Sequence, residues 1–339
     1  MEQTFVVGKS KNKNLNPFIL FLFSILVVYT IIFCFFIFYG FYNSLKPSIQ
    51  YGTWKEYFQL PSYGPRPDKG NVDFSNPLKS YYFPHPFKNY EDVMKIIPTD
   101  GSQTSQYYAG WNLDKLMPEK AVRPYSFFDI IFNSLLYALG GSVIIAIVPC
   151  VFGYLCAKYP YKFSSFLYAL TLFVMIMPLV GTGPARIRLM SRLMIFDTMI
   201  GDFIVNFTFA NVYFLVFLAF YQGVSGTFAE AAEIDGASQF RTLVEIMMPL
   251  GIKMMATITL IFFIGRWNNY DTPLIYLPNT PMIAYRIYLI TTYNPPAALR
   301  TNVPAKFASA MIVAMPILIL FIILRDKIMG NISMGGVKE

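Results

Sequence analysis

Long apolar runs constrain this chain more than any other feature. The first run, from Pro17 to Tyr42, is a nearly unbroken stretch of Phe, Ile, Leu, Val and Tyr. About 20 such residues cross the hydrocarbon core of a bilayer as a helix. The run is too long for the apolar region of a signal peptide, and no small-residue cleavage site follows it. The sequence therefore predicts a transmembrane helix over 17–42, with residues 1–16 and their lysines in the cytoplasm.

Composition places the whole chain in the membrane class. Of its 339 residues, 55% are hydrophobic and only 14% are charged, whereas a soluble domain averages about 25% charged residues. The net charge of +8 is spread along the chain, which favours contact with anionic lipid over nucleic-acid binding. Cys34, Cys150 and Cys156 lie in apolar runs and are predicted to be buried free thiols. One histidine, His85, without nearby cysteines argues against a metal site.

Five further apolar segments complete a prediction of six transmembrane helices. They cover residues 130–157, 165–180, 203–222, 252–277 and 305–324. Six spans place both termini on the same side, which the lysine-bearing N-terminus assigns to the cytoplasm. Against this scheme, Arg186, Arg188 and Arg192 fall outside, in a segment over 181–202 whose amphipathic spacing predicts an interfacial helix. Residues 278–304, with five prolines, are predicted to form a polar loop.

The domain boundaries follow from these spans. Residues 43–129 form a long external loop, rich in proline and aromatic residues, with a short helix predicted near 89–97. Its aromatic side chains suit either a recognition surface or an interfacial belt at the head groups. Residues 130–329 form a five-helix core, in which 223–250 is a loop region, and 330–339 form a cytoplasmic tail. The predicted fold class is an all-α integral membrane protein.

One charged segment in the second half stands apart from the apolar runs. Residues 229–235 are rich in Ala and Glu, which favour a helix, and Gly236 allows a sharp turn. A second helix is predicted over 238–248, ending at Pro249. On the first helix one face carries Phe228, Ala231, Ala232 and Asp235. The segment is predicted to be a cytoplasmic helix–turn–helix that a partner protein grips.

This segment also resembles a known motif, the EAA loop of ABC importer permeases. The matching positions, at the family's fixed spacing, are Glu230, Ala231, Ala232, Gly236, Ile246, Met248 and Pro249. Met248 stands where the family has Leu. Asn133-Ser134-Leu135, Trp267-Asn268 and the tail from Met334 to Lys338 are similar to carbohydrate permeases of the maltose-importer type. The resemblance covers about residues 130–339, and the external loop is longer than is usual in that family.

The resemblance implies a function in sugar or oligosaccharide import. Two permease subunits, expected to form a heterodimer, would enclose the path in a bacterial plasma membrane, and an external solute-binding protein would deliver the sugar. Two nucleotide-binding ATPase subunits would bind ATP and Mg²⁺, so this chain would hold no cofactor and would not be an enzyme. The implied ATPase-coupling residues are Glu230, Ala231, Ala232 and Gly236, with Asp235 and Ala237 as further contacts. The tail residues Gly335, Gly336 and Lys338 would also reach toward the ATPase pair.

Polar residues within the apolar runs are candidates for the translocation path. They are Trp267, Asn268, Asn269, Asn206 and Asn211. The sequence leaves two interpretations open, because polar groups inside spans face either a cavity or another helix.

Two other functions remain as alternatives. The chain could import another polar solute through the same machinery. A secondary transporter would instead need an intramembrane acidic residue for ion coupling, for which Asp271 is the best candidate. A membrane enzyme would need a cluster of His, Cys or acidic residues, and the sequence offers none.

Overall fold

The computed structural model describes residues 17–47, 85–98, 124–159, 161–177, 181–293 and 295–332. Every regular element in these ranges is helical. Residues 1–16, most of the predicted external loop and the tail positions Gly335, Gly336 and Lys338 lie outside the described residues. The all-helical fold class predicted from the sequence is confirmed for the part that is described.

The described residues form thirteen α-helices, labelled in chain order. The first are α1 (Pro17–Ser44), α2 (Lys88–Ile96), α3 (Phe127–Lys158), α4 (Lys162–Ile176), α5 (Thr182–Arg192) and α6 (Met199–Val205). The rest are α7 (Val212–Gly223), α8 (Thr227–Ile234), α9 (Gln239–Asn268), α10 (Asp271–Tyr276), α11 (Ile283–Tyr288), α12 (Ala297–Arg300) and α13 (Val303–Ile332). Turns of π-helix interrupt α3 at Leu136–Gly140 and α9 at Leu243–Met247, and a third follows α11 at Leu289–Tyr293. The short helix predicted near 89–97 corresponds to α2.

Four of the described helices, α1, α3, α9 and α13, are long and apolar enough to cross a membrane. A fifth crossing is obtained if α7 and α8, which meet at a bend of 70°, are taken as one broken span. Apolar helix α4 has 15 residues and is shorter than a full span. The described residues therefore provide four to five spans, where the sequence predicts six.

Of the described residues, those between 17 and 89 form one compact unit together with residues 303–311. Within it, α1 exposes almost all of its apolar side chains along most of its length and buries only its C-terminal end. There the side chain of Asn89 donates hydrogen bonds of 2.7 Å to the carbonyls of Ser44 and Lys46. The prediction that all three cysteines are buried is wrong for Cys34, which is exposed because it lies on the open part of α1.

The second unit, formed by the described residues between 90 and 302 and by residues 312–332, has its core where α3, α7 and α9 pack together. Small residues allow this close packing. A Cβ atom on Gly153 of α3 would lie 2.7 Å from the Cβ of Phe217 on α7, and one on Gly251 of α9 would lie 2.7 Å from the hydroxyl of Tyr221. The buried side chains of this core are Ala146, Cys150, Tyr154, Phe217, Tyr221, Met247 and Ile258.

The predicted fourth span over 203–222 is not one continuous helix. α6 ends at Val205 and α7 begins only at Val212. Asn211 caps the new helix, since its Oδ1 accepts a 2.9 Å hydrogen bond from the N–H of Tyr213. An Asn side chain competes with the helix ladder for backbone donors, which is why apolarity alone misplaced this boundary.

The second helix of the charged segment does not end at Pro249. It continues as α9 to Asn268, and Pro249 lies in the first turn after the π-helical turn. The N–H of Met248 bonds to the carbonyl of Leu243, five residues back. We attribute the tolerance of Pro249 to this wider π-helical turn, since a regular α-helix would require the N–H that proline lacks. The predicted fifth span over 252–277 accordingly starts earlier, ends at Asn268 and is followed by the separate helix α10.

The segment predicted as a polar loop over 278–304 is largely buried and helical. Residues 282–287 are all buried, and α11 begins at Ile283. Ser134 on α3 accepts a 2.7 Å hydrogen bond from the N–H of Ile283, which satisfies a donor at this helix start. The prolines lie on either side of this buried stretch. A prediction based on the number of prolines therefore missed the apolar helix between them.

Candidate functional site

The residues of the predicted coupling set lie on α8 and the turn that follows it. α8 ends at Ile234, and Gly236 adopts the left-handed region with φ of 79°. The N–H groups of Gly236 and Ala237 donate to the carbonyls of Glu233 (3.0 Å) and Ala232 (2.9 Å). These two bonds form a Schellman C-cap, which glycine favours because it has no Cβ to oppose a positive φ. The chain therefore turns sharply at Gly236.

The outer surface of this segment mixes acidic and apolar side chains. Glu230, Glu233 and Asp235 are exposed. Beside them, Ile234 is 86% exposed and Phe240, on the first turn of α9, is 74% exposed. Carboxylates are costly to bury in hydrocarbon, so this surface suits contact with a protein partner better than contact with lipid tails.

The two alanines of the motif have different environments. Ala231 is exposed, while Ala232 is buried within this chain at 4% exposure. Ala229 packs against the core of the second unit, and Ala237 is half-buried. The inner face of α8 thus rests on the helices of its own chain, and its outer face is open.

Hydrogen bonds fasten both ends of the segment to the spans. On the entering side, Lys158 at the end of α3 donates a 2.9 Å hydrogen bond to the carbonyl of Val224, just after α7. On the leaving side, the hydroxyl of Tyr221 donates to the carbonyl of Met247 at 3.1 Å. The same hydroxyl lies 3.3 Å from the sulfur of Cys150 on α3. These contacts attach the two ends of the segment, Val224 and Met247, to α3 and α7.

The predicted path residues on α9 make contacts within the protein. Trp267 is 3% exposed, and its indole N–H donates to the carbonyl of Val313 on α13 at 3.0 Å. Asn268 is exposed at the end of α9. Asn269, just after α9, accepts a 2.9 Å hydrogen bond from the N–H of Thr272 in the first turn of α10.

The other two predicted path residues flank the break between α6 and α7. Asn206 donates to the backbone carbonyl of Asp202 at 2.7 Å and to its Oδ1 at 3.0 Å. Asn211 is the N-cap of α7. Both side chains form hydrogen bonds with backbone groups at the interrupted helix ends. The sequence predicts that both residues lie inside a continuous span and does not predict this role.

Sequence reasoning missed a buried charged cluster around Asp202. The Asp202 side chain has no exposure and pairs with Arg266 of α9. Arg186 of α5 also approaches it, at 3.7 Å, so this arginine points inward and is not a free charge of an interfacial helix. Two features of the sequence could have indicated this cluster. Asp202 lies between apolar residues next to the fourth apolar run, and Arg266 lies within the fifth.

The fold is that of an ABC transporter chain of known structure. The crystal structure of a bacterial ABC transporter involved in the import of the acidic polysaccharide alginate contains a chain with a TM-score of 0.65 and 20% identity. The similarity covers 94% of this chain and 99% of that one. No protein-family model matches the chain.

Curated relatives are permease proteins of sugar transport systems. The arabinooligosaccharides transport permease AraQ of Halalkalibacterium halodurans is 26% identical over 201 residues, which are 58% of this chain and 71% of AraQ. The melibiose/raffinose/stachyose import permease MelC of Bacillus subtilis is 23% identical over 208 residues, 61% of this chain and 74% of MelC. The diacetylchitobiose uptake permease NgcG of Streptomyces coelicolor is 21% identical over 205 residues, 60% of this chain and 67% of NgcG. The resemblance to carbohydrate ABC permeases is confirmed.

Proposed function

We propose that this chain is the transmembrane permease subunit of an ATP-driven ABC importer for a sugar or oligosaccharide. The observation that carries the proposal is the form of the coupling segment, an exposed helix and turn whose second helix continues into the membrane-crossing part of α9. The relatives support the substrate class, since AraQ, MelC and NgcG are named for arabinooligosaccharides, for melibiose, raffinose and stachyose, and for diacetylchitobiose.

In the proposed mechanism, α9 transmits movement of the partner ATPase subunit to the membrane-spanning part of this chain. Glu230, Ala231, Ala232 and Gly236 would occupy a cleft of an ATPase subunit, with Asp235 and Ala237 at its rim. α9 has 30 residues, which at about 1.5 Å per residue gives a length of ~45 Å. A displacement of the turn would therefore reach the opposite side of the bilayer through one continuous helix, because hydrogen-bonded helices resist axial compression.

The proposed assembly supplies the components that this chain lacks. Two nucleotide-binding subunits bind ATP and Mg²⁺, a second permease chain completes the path, and an external solute-binding protein delivers the substrate. We place the complex in a bacterial plasma membrane with both termini in the cytoplasm. Trp267, Asn268, Asn269, Asn206 and Asn211 remain proposed path residues, and Gly335, Gly336 and Lys338 remain proposed tail contacts.

A secondary transporter is the alternative that one observation favours, because Asp202 is an acidic residue buried among helices. Its carboxylate, however, is compensated by Arg266 and approached by Arg186. A carboxylate held by fixed guanidinium groups is not free to take up a coupling ion. Asp271 is exposed in the first turn of α10. Import of another polar solute by the same ATP-driven machinery differs from the proposal only in the substrate.

Charge placed on the exposed coupling surface tests the proposal. Ile234→Asp and Phe240→Asp change side chains that are mostly exposed, so the fold of this chain should be unaffected. A buried carboxylate without a partner costs several kcal/mol at an interface, so we expect the ATPase subunits to be lost on co-purification. Met194→Asp is the matched control, since Met194 is 91% exposed and lies on the turn after α5.

The wild-type protein should co-purify with nucleotide-binding subunits and a second permease chain. If Ile234→Asp and Phe240→Asp complexes retain the ATPase subunits and their ATP hydrolysis as fully as Met194→Asp, the coupling surface is assigned wrongly.

A further inference from the structure

The charged cluster at Asp202 lies at the end of α9 that is remote from the coupling segment. Arg266 is 19 residues beyond Met247 (266 − 247) along one continuous helix. At about 1.5 Å per residue, this corresponds to ~28 Å. The helix that carries the coupling segment at one end therefore carries a buried cation at the other.

The surroundings of Arg266 match the size and hydrogen-bonding groups of its guanidinium. Its Nη2 pairs with Oδ2 of Asp202, and its Nε donates to the carbonyl of Tyr137 at 3.1 Å. The guanidinium also lies over the Tyr137 ring at 3.9 Å. Gly141, on the next turn of α3, leaves the space open, because a Cβ there would be 2.3 Å from Cζ of Arg266. Four independent features thus select an arginine with this orientation.

Asp202 joins Arg266 to the short helix α6. Its side chain is fully buried and receives three groups: Arg266, Arg186 at 3.7 Å and the amide of Asn206 at 3.0 Å. The backbone carbonyl of Asp202 accepts two further hydrogen bonds at the end of α6, from the N–H of Asn206 at 3.0 Å and from its side-chain amide at 2.7 Å. A buried ion pair of this kind resists separation strongly, because removing either partner leaves an uncompensated charge.

We propose that Asp202 and Arg266 are positioning residues that fasten the far end of α9 to α6, so that the two helices move as one body when the coupling segment is displaced. This inference rests on the proposed function and adds the place where the displacement of α9 is passed on. Neither residue needs to touch the substrate. Without the ion pair, α9 would move past α6, and the ATPase cycle would run without reaching the outer end of the spans.

The neutral pair Asp202→Asn/Arg266→Gln tests this inference in the assembled importer in proteoliposomes, because it removes both charges of the ion pair. Arg186, 3.7 Å from Asp202 and 27% exposed, keeps its contact with the Tyr276 ring. Spin labels at Ile261→Cys on α9 and Ile200→Cys on α6, both at exposed positions, report the distance between the two helices. The background carries Cys34→Ser, since Cys34 is exposed. In the wild type, adding Mg-ATP should leave this distance unchanged. In the neutral pair it should shift or broaden, while basal ATP hydrolysis stays within about twofold and its stimulation by the solute-binding protein is lost.

Arg266→Lys is the second variant, since it keeps the charge but not the guanidinium contact with the Tyr137 carbonyl. We expect an intermediate loss of stimulation. The inference is overturned if the neutral pair and Arg266→Lys both keep the wild-type distances and stimulation, or if the wild-type distance itself changes with Mg-ATP. Failure of the proposed function gives a different result, because the wild type would then neither assemble with ATPase subunits nor hydrolyse ATP.

Discussion

At the scale of single residues, Arg286 shows how one buried side chain can hold a segment distant in sequence. Arg286 is 1% exposed on α11. Its Nε donates to the carbonyl of Ile97 at 2.9 Å, and its Nη2 donates to the carbonyls of Ile96 and Pro98 at 3.5 and 3.3 Å. These carbonyls end α2, where a helix leaves acceptors without intrahelical partners and where its dipole favours a cation.

Arg286→Met should release the end of α2. Methionine fills a similar volume but offers no donor, so the carbonyls at 96–98 lose their partner. We expect a loss of about 2 kcal/mol in the free energy of unfolding, together with faster amide hydrogen exchange over residues 90–97. Arg300→Met is the control, because Arg300 is exposed at the end of α12. Equal exchange in the two variants would contradict this role of Arg286.

At the scale of an element, α9 combines a surface segment and a membrane span in one helix. The π-helical turn at Leu243–Met247 marks the transition, and the Tyr221 hydroxyl binds the Met247 carbonyl there. Gly251, one turn further on, gives the tyrosine its space. The position of the Tyr221 ring thus depends on the absence of a side chain at Gly251.

Gly251→Ala should therefore destabilise the protein by about 1–3 kcal/mol through overpacking against the Tyr221 hydroxyl. The same change should cost less in a Tyr221→Phe background, since phenylalanine lacks the hydroxyl. Thermal unfolding of the four proteins of this double-mutant cycle should give a coupling free energy of at least ~0.5 kcal/mol. Gly265→Ala on the same helix is the control, because no atom lies within 4 Å of its added Cβ. An additive cycle would show that the two residues do not interact.

At the scale of the whole molecule, α9, with its 30 residues, is long enough for its two ends to lie on opposite sides of a bilayer. The prediction concerns cysteine labelling in a Cys34→Ser background, with Cys150 and Cys156 buried. Ile234→Cys should react with a membrane-impermeant maleimide only when the cytoplasmic side is opened, whereas Asn268→Cys should react in intact spheroplasts. Labelling of both positions from the same side would contradict the proposed orientation of α9.

The sequence by itself determined the class of this protein and the place of the turn at Gly236. Apolar runs longer than a bilayer is thick can be satisfied only in lipid or deep within a protein, so composition was sufficient to predict a helical membrane protein. The turn at Gly236 was also predictable, because a glycine after an Ala- and Glu-rich stretch is a local signal. Both inferences depend on interactions within a few residues along the chain.

Only the tertiary structure decided how the apolar runs are divided and which polar residues they bury. Local sequence rules predict that a helix ends at Pro249. In the structure a π-helical turn precedes Pro249, and the helix continues beyond it. The fourth run broke at Asn206 and Asn211 because their side chains cap helix ends. Asp202 and Arg266 are 64 residues apart (266 − 202), and no local pattern pairs them. Their ion pair is buried because α6 and α9 both pack against α3, and a charge in such a place must find its partner across the fold.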